Sequence, residues 1–454
     1  MCSFQLIFGK IYTFYSLKWT FLGAIGIFEL GSLICGIAPT SNALIIGRAI
    51  AGLGCGGIFS GALIILAHSV PLRKRPMYTG LIGAMFGIAS VAGPLMGGAF
   101  TDHATWRWCF YINLPIGAVT VVVIILFFTP PNRVKADKLS NMDKLKEFDL
   151  IGTSVLLPGI VSLLLALQWG GTKYTWNSPT IIGLIVCAAV LLIAFMGIQF
   201  WRGEKATIPP RILKQRSIAF GSVVSFSVGS TFMLLVFYLP IWFQAIKGVT
   251  ATQSGIRNLP LILAVTVFSI VGGVGVTVLG YYTPFMIVGA AVAAIGTGLV
   301  TTFEVDTGSG MWIGYQVICG AGLGLVMQQP MIAAQTVLKL DDVPTGTSCI
   351  IFFQTLGGAL FISVGQNVFT SKLVSGLQEA LPDFDSALIL TAGATSLQKM
   401  FSSEQLPLVI EAYNTALTRC FYAGLAMSVV GFVGCFGMEW VSVKGKKIEV
   451  GVGA

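Results

Sequence analysis

Charge is what this chain has least of. Soluble domains carry ionisable side chains at about a quarter of their positions, but here only 10% of 454 residues are charged and 55% are hydrophobic, with a mean hydropathy of +0.86. That excludes an ordinary water-soluble fold and points to an integral membrane protein. Histidine is nearly absent: His68 and His103 are the only two, so no H-E-x-x-H zinc arrangement exists. No G-x-x-x-x-G-K-S/T loop is present to cradle a nucleotide phosphate. The nine cysteines are scattered, most of them inside apolar runs, and read as small core residues rather than disulfides or metal ligands. No metal, cofactor or enzymatic centre is expected. Met1 to Phe8 is too short for a cleavable signal.

What is present is a series of long apolar stretches. Runs able to cross a hydrocarbon core of about 30 Å, which takes about 20 helical residues, fall near 19–38, 42–66, 77–100, 108–128, 150–168, 179–200, 217–243, 258–279, 284–303, 311–337, 344–370 and 420–439, twelve in all. Between Arg257 and Glu304 there is no charge, and the only credible turn is Gly280 to Pro284. The stretch from Tyr78 to Phe100 places Gly80, Gly83, Gly87, Ser90, Gly93, Gly97 and Gly98 at helical spacing, a stripe on which a neighbouring backbone can pack closely in lipid. Pro94 frees the carbonyl of Ser90, which lipid cannot satisfy, so a bend is expected there against protein or a water-filled cavity.

The formal charge of +9 raises the question of nucleic acid, and its distribution answers it. With the N-terminus in the cytoplasm, nineteen Lys and Arg fall in cytoplasmic connections and seven on the opposite side, with Arg48 inside a span. The bias reports topology, gives cytoplasmic termini and no nucleic-acid partner, and suits an anionic inner leaflet. Leu139, Met142, Leu145 and Phe148 recur every three residues among charged ones, which predicts an interfacial helix within 130–149.

Internal repetition is more informative. IGRAIAGLGCG around Arg48 returns as IGYQVICGAGLG around Gln316, an offset of 268. Thr79 and Gly80 return as Thr345 and Gly346, and the Gly9 to Thr13 segment returns at Gly280 to Thr283. Ordered landmarks at nearly one offset imply two related halves. The divisions expected are an incomplete first half at 1–128, cytoplasmic loops and two inserted spans at 129–216, a second half at 217–440 with an external loop at 371–419, and a cytoplasmic tail at 441–454. By the same offset, the first span and most of the second are expected to be missing from the start.

With those residues in view, the chain resembles the major facilitator superfamily, and within it the 14-span drug:proton antiporter group rich in fungal multidrug and toxin efflux pumps. ASVAGPLMGG at 89–98 is similar to the antiporter signature g-x-x-x-G-P-x-x-G-G, departing at Ala89. LIIGRAIAGLGCG at 44–56 resembles the fourth-span signature l-x-x-x-R-x-x-q-G-x-g, with Arg48 on the arginine and Ala51 where glutamine is usual. WRWCFYINLPIG at 106–117 and YLPIWFQAIKGVTATQSGIRNLP at 238–260 also look like that group. GKIYTFYSLK at 9–18 departs from the loop motif G-x-L-a-D-r-x-G-r-k, keeping only Gly9 and Lys18, so its latch is degenerate. The fold implied is an all-α membrane protein, the major facilitator fold of two pseudo-symmetric helical halves with two extra spans between them.

A carrier of this kind needs a mid-membrane cavity and a titratable group whose charge differs between two states. Charges inside spans cost about 2.5–3.5 kcal/mol at the centre on insertion scales, and only Glu29 and Arg48 lie well inside. Arg48 lies about 9 Å deep and Glu29 about 13 Å deep at 1.5 Å per residue. The resemblance implies a proton-transfer role for Arg48, against a structural tie to backbone carbonyls. Glu29 is either a coupling acid or a neutral bridge between helices. Gly93, Pro94, Gly97 and Gly98 are implied to shape a bend that seals against proton leak, or only to pack. Gln316, Gln328, Gln329 and Gln354 either line a substrate cavity or act as interhelical glue. Trp106, Trp108, Tyr111, Trp169, Tyr174 and Trp176 fit an interfacial belt.

The expectation is therefore a carrier in the plasma membrane of a fungus, or its vacuolar membrane, exporting a hydrophobic or amphipathic small molecule against proton entry. Two alternatives stand beside it: a proton-linked importer on the same fold, and a truncated paralogue that does not transport.

Overall fold

The computed structural model describes residues 2–129, 149–381, 401–402 and 404–444. The interfacial helix expected at 130–149 falls almost wholly outside them, as does the tail beyond Lys444. The described long helices are α1 (Cys2–Phe14), α2 (Leu17–Ile37), α3 (Ser41–Ser69), α4 (Arg75–His103), α5 (Asn113–Phe127), α6 (Leu150–Trp169), α7 (Pro179–Arg202), α8 (Arg216–Lys247), α9 (Ala251–Arg257), α10 (Leu259–Leu279), α11 (Thr283–Val300), α12 (Ser309–Met327), α13 (Gln329–Val337), α14 (Val343–Ala380) and α15 (Leu406–Cys435). Among the described residues, eleven helical segments are long and apolar enough to cross a membrane, and α4 adds 29 helical residues.

The helix ends follow local chemistry. The side chains of Thr40, Ser178 and Thr250 accept a backbone N–H from the first turns of α3, α7 and α9, as N-caps do. Gly280 ends α10 at φ +93°, a conformation that L side chains rarely adopt, and Pro284 sits in the first turn of α11. This is the turn expected from sequence.

Several expected boundaries move. Residues 9–14, expected in a loop, continue α1. The span expected at 311–337 is two helices broken at Gln328. The external loop expected at 371–419 is helical at 371–380 and 406–419, and the last span is Leu406–Cys435 rather than 420–439. These turns are amphipathic, so an apolar window misses them.

The duplication reappears as one crossing built twice. Arg48 and Gln316 each lie seven residues past the first residue of their helices, Ser41 and Ser309. A Cβ on Gly54 of α3 would strike the backbone of Ala24 and Phe28 in α2, while a Cβ on Gly322 of α12 would strike that of Gly289 and Ala293 in α11. Each of those α2 residues lies 265 before its α11 counterpart. Small residues let both pairs of backbones touch, which is how helices associate in lipid.

In the second half the core centres on Trp242, fully buried, whose ring lies 4.7 Å from that of Phe303. Its Nε1 donates to Asn414 Oδ1 at 2.8 Å, and Asn414 Nδ2 donates to the Phe303 carbonyl at 3.1 Å. One polar chain thus ties α8, α15 and the turn after α11, as buried polar groups in a lipid-embedded core require. The inserted pair, α6 and α7, is fastened through Asp149. This carboxylate accepts from Gly152 N, Gln199 Nε2, and Thr207 N and Oγ1 at 2.8, 2.7, 3.1 and 3.0 Å, and lies 3.4 Å from Arg202 Nε.

Candidate functional site

The site is the seam where the first half meets the second. The glycine stripe of α4 is divided. A Cβ on Gly80 would lie 2.5 Å from the Ser269 carbonyl oxygen of α10, one on Gly87 would collide with Thr266, and one on Gly83 would lie 2.8 Å from Gln328 Nε2. From α10, Gly273 meets the Pro76 carbonyl in return. Farther along α4, a Cβ on Gly93 meets nothing within 4 Å and one on Gly97 only Cys109 Sγ at 4.0 Å. The helix is unbroken through Gly93, Pro94, Gly97 and Gly98; the surroundings of Pro94 and Gly98 lie outside the described residues.

A second contact flanks the first. A Cβ on Gly9 of α1 would lie 2.6 Å from Ser348 Oγ and 3.2 Å from the Pro344 carbonyl at the start of α14. Between these two contacts the seam is filled by apolar side chains: Leu63 of α3 with Ile218, Met331, Ala334, Ile350 and Ile351 of the second half, and Ile82 of α4 against them. Phe86 reaches Phe232 of α8, ring centroids 6.1 Å apart. The Gly9, Gly80 and Leu63 contacts lie toward the basic end of the bundle, where Arg73, Lys74, Arg202 and Arg216 sit, while Phe86 and Phe232 lie deeper, 11 and 16 residues past the helix starts at Arg75 and Arg216. The seam is shut at the basic end.

The other expected residues disperse. Arg48 is exposed on the far part of α3, with no hydrogen-bond or ion-pair partner among the described residues. Glu29 points at α5, where its carboxylate covers Gly117, and its Oε2 is buried without a partner among the described residues. The two are not paired. Lys18 Nζ donates to the Ile125 carbonyl of α5 at 2.8 Å, so it works within the first half and only Gly9 reaches the seam.

The four glutamines are all buried. Gln316 Nε2 donates to the Arg257 carbonyl at 3.0 Å, the glue reading, and Gln329 Nε2 donates to Leu325 within its own chain turn at 3.0 Å while lying against Gly272. Gln354 on α14 keeps an Nε2 without a hydrogen-bond partner among the described residues. Gln328 meets the first half at Gly83, at the break between α12 and α13, and its Oε1 has no hydrogen-bond partner among the described residues. A broken helix at membrane depth is tolerated where protein or a cavity takes up the freed backbone.

The sequence profile of the Major Facilitator Superfamily matches residues 1–362. The chain belongs to this family. It is accordingly a transporter rather than an enzyme. It is 58% identical over 449 residues to the MFS-type efflux pump MFS1 of Arthroderma benhamiae, covering 99% of this chain and 84% of that protein. It is 53% identical to the efflux pump roqT of Penicillium rubens (98% and 82%) and 52% identical to the MFS-type transporter astH of Aspergillus oryzae (98% and 79%). In fold it is similar to the human organic anion transporter MFSD10, TM-score 0.58 at 11% identity over 94% of this chain and 81% of that one. It is also similar to a double tryptophan variant of XylE, TM-score 0.56 at 12% identity over 98% and 85%.

For a major facilitator carrier, the seam residues that sequence reading missed are those of α10. Thr266, Ser269 and Gly273 form a second small-residue stripe at spacings of three and four, which was the available signal. The apolar plug at Leu63, Ile82 and Met331 left none, because its members look like any other span residues.

Proposed function

We propose that this carrier exports a hydrophobic or amphipathic small molecule in exchange for protons, across the plasma membrane of a fungus, with both termini in the cytoplasm. The observation that carries the reading is the packing of the seam at the basic end by Gly80, Gly9 and the apolar plug. By the positive-inside rule the basic end is cytoplasmic, so this state is closed to the cytoplasm. Rocking of the two halves would part α4 from α10 and α1 from α14, admitting substrate from the inner side.

Glu29 is the candidate for proton coupling on burial and an unsatisfied oxygen, and Arg48 is the exposed cation on the outward part of α3. The degenerate loop leaves Gly9 as the latch contact. The names of the related efflux pumps support the direction.

The test is transport in inside-out proteoliposomes with a pH-sensitive dye in the lumen. An imposed proton gradient, acid inside, should drive uptake of an amphipathic dye and release lumenal protons, and a protonophore should stop both. Dye moving in the same direction as protons makes the protein an importer instead, and no dye movement under any gradient removes the transport mechanism.

A further inference from the structure

Between the inserted pair and α14 lies a cavity of about 420 Å³, walled by Leu156 and Ile160 of α6, Leu192 and Phe195 of α7, and Phe352 and Leu356 of α14. Its one amide, Gln199, has nothing to offer a guest: Nε2 donates to Asp149 at 2.7 Å and Oε1 accepts from Ile208 N at 2.8 Å. Water held there would find none of the two to four polar partners it needs. The rim on α7 is open, with Met196 52% and Phe200 64% exposed. Such a lining matches hydrocarbon.

At the basic end Lys214 lines the same cavity and is exposed. The cations around it are engaged: Arg202 with Asp149, Arg211 with Glu204 and Asp342, and Arg216 with the Gly437 carbonyl. Lys214 has no partner among the described residues. A ligand that fits both features has an apolar chain and an anionic head at the membrane surface.

We propose that this cleft holds one acyl chain of an anionic phospholipid, with Lys214 against its head group. Basic pockets between spanning helices on the cytoplasmic side recognise such heads. The lipid would fill the space where α6 and α7 stand off from α14, and so join the inserted pair to the second half.

The test places the full chain in nanodiscs of phosphatidylcholine containing a small fraction of phosphatidylserine or phosphatidylcholine with a diazirine on the acyl chain, and maps photolabelled peptides. Phosphatidylserine should label 192–200 and 352–356 above the exposed lipid-facing positions Val278 and Val433. One lysine near the surface favours an anionic lipid about fivefold, so Lys214→Glu, which removes that charge and adds an opposite one, should lower that labelling at least about fivefold and leave phosphatidylcholine labelling unchanged. Ile160→Trp, which fills the cleft, should lower phosphatidylserine labelling of both segments to the level seen at Val278 and Val433. Equal labelling by the two lipids with and without Lys214→Glu overturns the proposal, leaving ordinary boundary lipid. Displacement of the label by a transported amphipathic dye also overturns it, in favour of a substrate subsite.

Discussion

Replacing Gly80 with alanine puts a methyl 2.5 Å from the Ser269 carbonyl oxygen, with Ser269 C at 3.3 Å and Ile270 Cα at 3.4 Å behind it. Every one of these atoms is backbone of α10, so no side-chain rotation relieves the clash and the two helices must part. Overpacking of this kind costs about 1–3 kcal/mol. Because α4 and α10 belong to opposite halves, that cost falls only on the state closed at the basic end. It therefore raises the open population about 5- to 150-fold while that state is the minority. The helix-propensity gain of alanine over glycine applies to both states and cancels. Cys349, fully buried one residue beyond the Gly9 contact at Ser348, reports opening. In a protein whose other cysteines are alanine, a membrane-impermeant maleimide on the basic side should label Cys349 faster in Gly80→Ala by that factor. Gly93→Ala, where nothing lies within 4 Å, should stay within twofold of the parent. Equal rates for Gly80→Ala and the parent, or an equal rise in Gly93→Ala, would refute the seam as the moving joint.

Gly9→Ala should lower the thermal midpoint through a clash worth about 1–3 kcal/mol; adding Ser348→Gly, which removes the Oγ and Cβ at 2.6 and 2.7 Å, should restore most of it. Asp149→Ala leaves the Arg202, Gln199 and Thr207 donors uncompensated and should cost about 3–5 kcal/mol by thermal unfolding in micelles. Burial raises the Asp149 pKa, but hydrogen bonds from Gly152, Gln199 and Thr207 outweigh it and the net shift is down. Its stabilisation is thus complete above the ordinary carboxylate pKa of about 3.9 and lost as pH falls through the lower folded value. Asp149→Asn should flatten that part of the stability profile. Glu29→Gln should abolish the pH dependence of export in vesicles; normal export with an unchanged pH profile would leave Glu29 a helix bridge over Gly117.

The spans, the Gly280 turn and the duplication were legible because each is written in local pattern: apolar length, a glycine before proline, small residues at a constant offset. The partners were not. That Gly80 meets Ser269 rather than another small residue depends on how two halves dock, and nothing near Gly80 in sequence encodes it. The resemblance places Lys18 in a loop latch, yet it bonds the Ile125 carbonyl, since a flexible lysine takes a nearby free acceptor. Gln316 occupies the repeat position of Arg48 but ends on a backbone carbonyl. Asp149 had a readable signal, an acid directly before an apolar run, which is an N-cap position; its four further ties come from residues some fifty positions away.

The crossing at Gly54 and again at Gly322 has a mechanical consequence. With main chain resting on main chain at the crossing, neither pair can slide there without losing that contact, so each half should turn as a stiff lever. Displacement is then confined to the hinge line between the levers. A bulky residue at Gly54 and one at Gly322 should cripple the carrier alike, each by softening an arm.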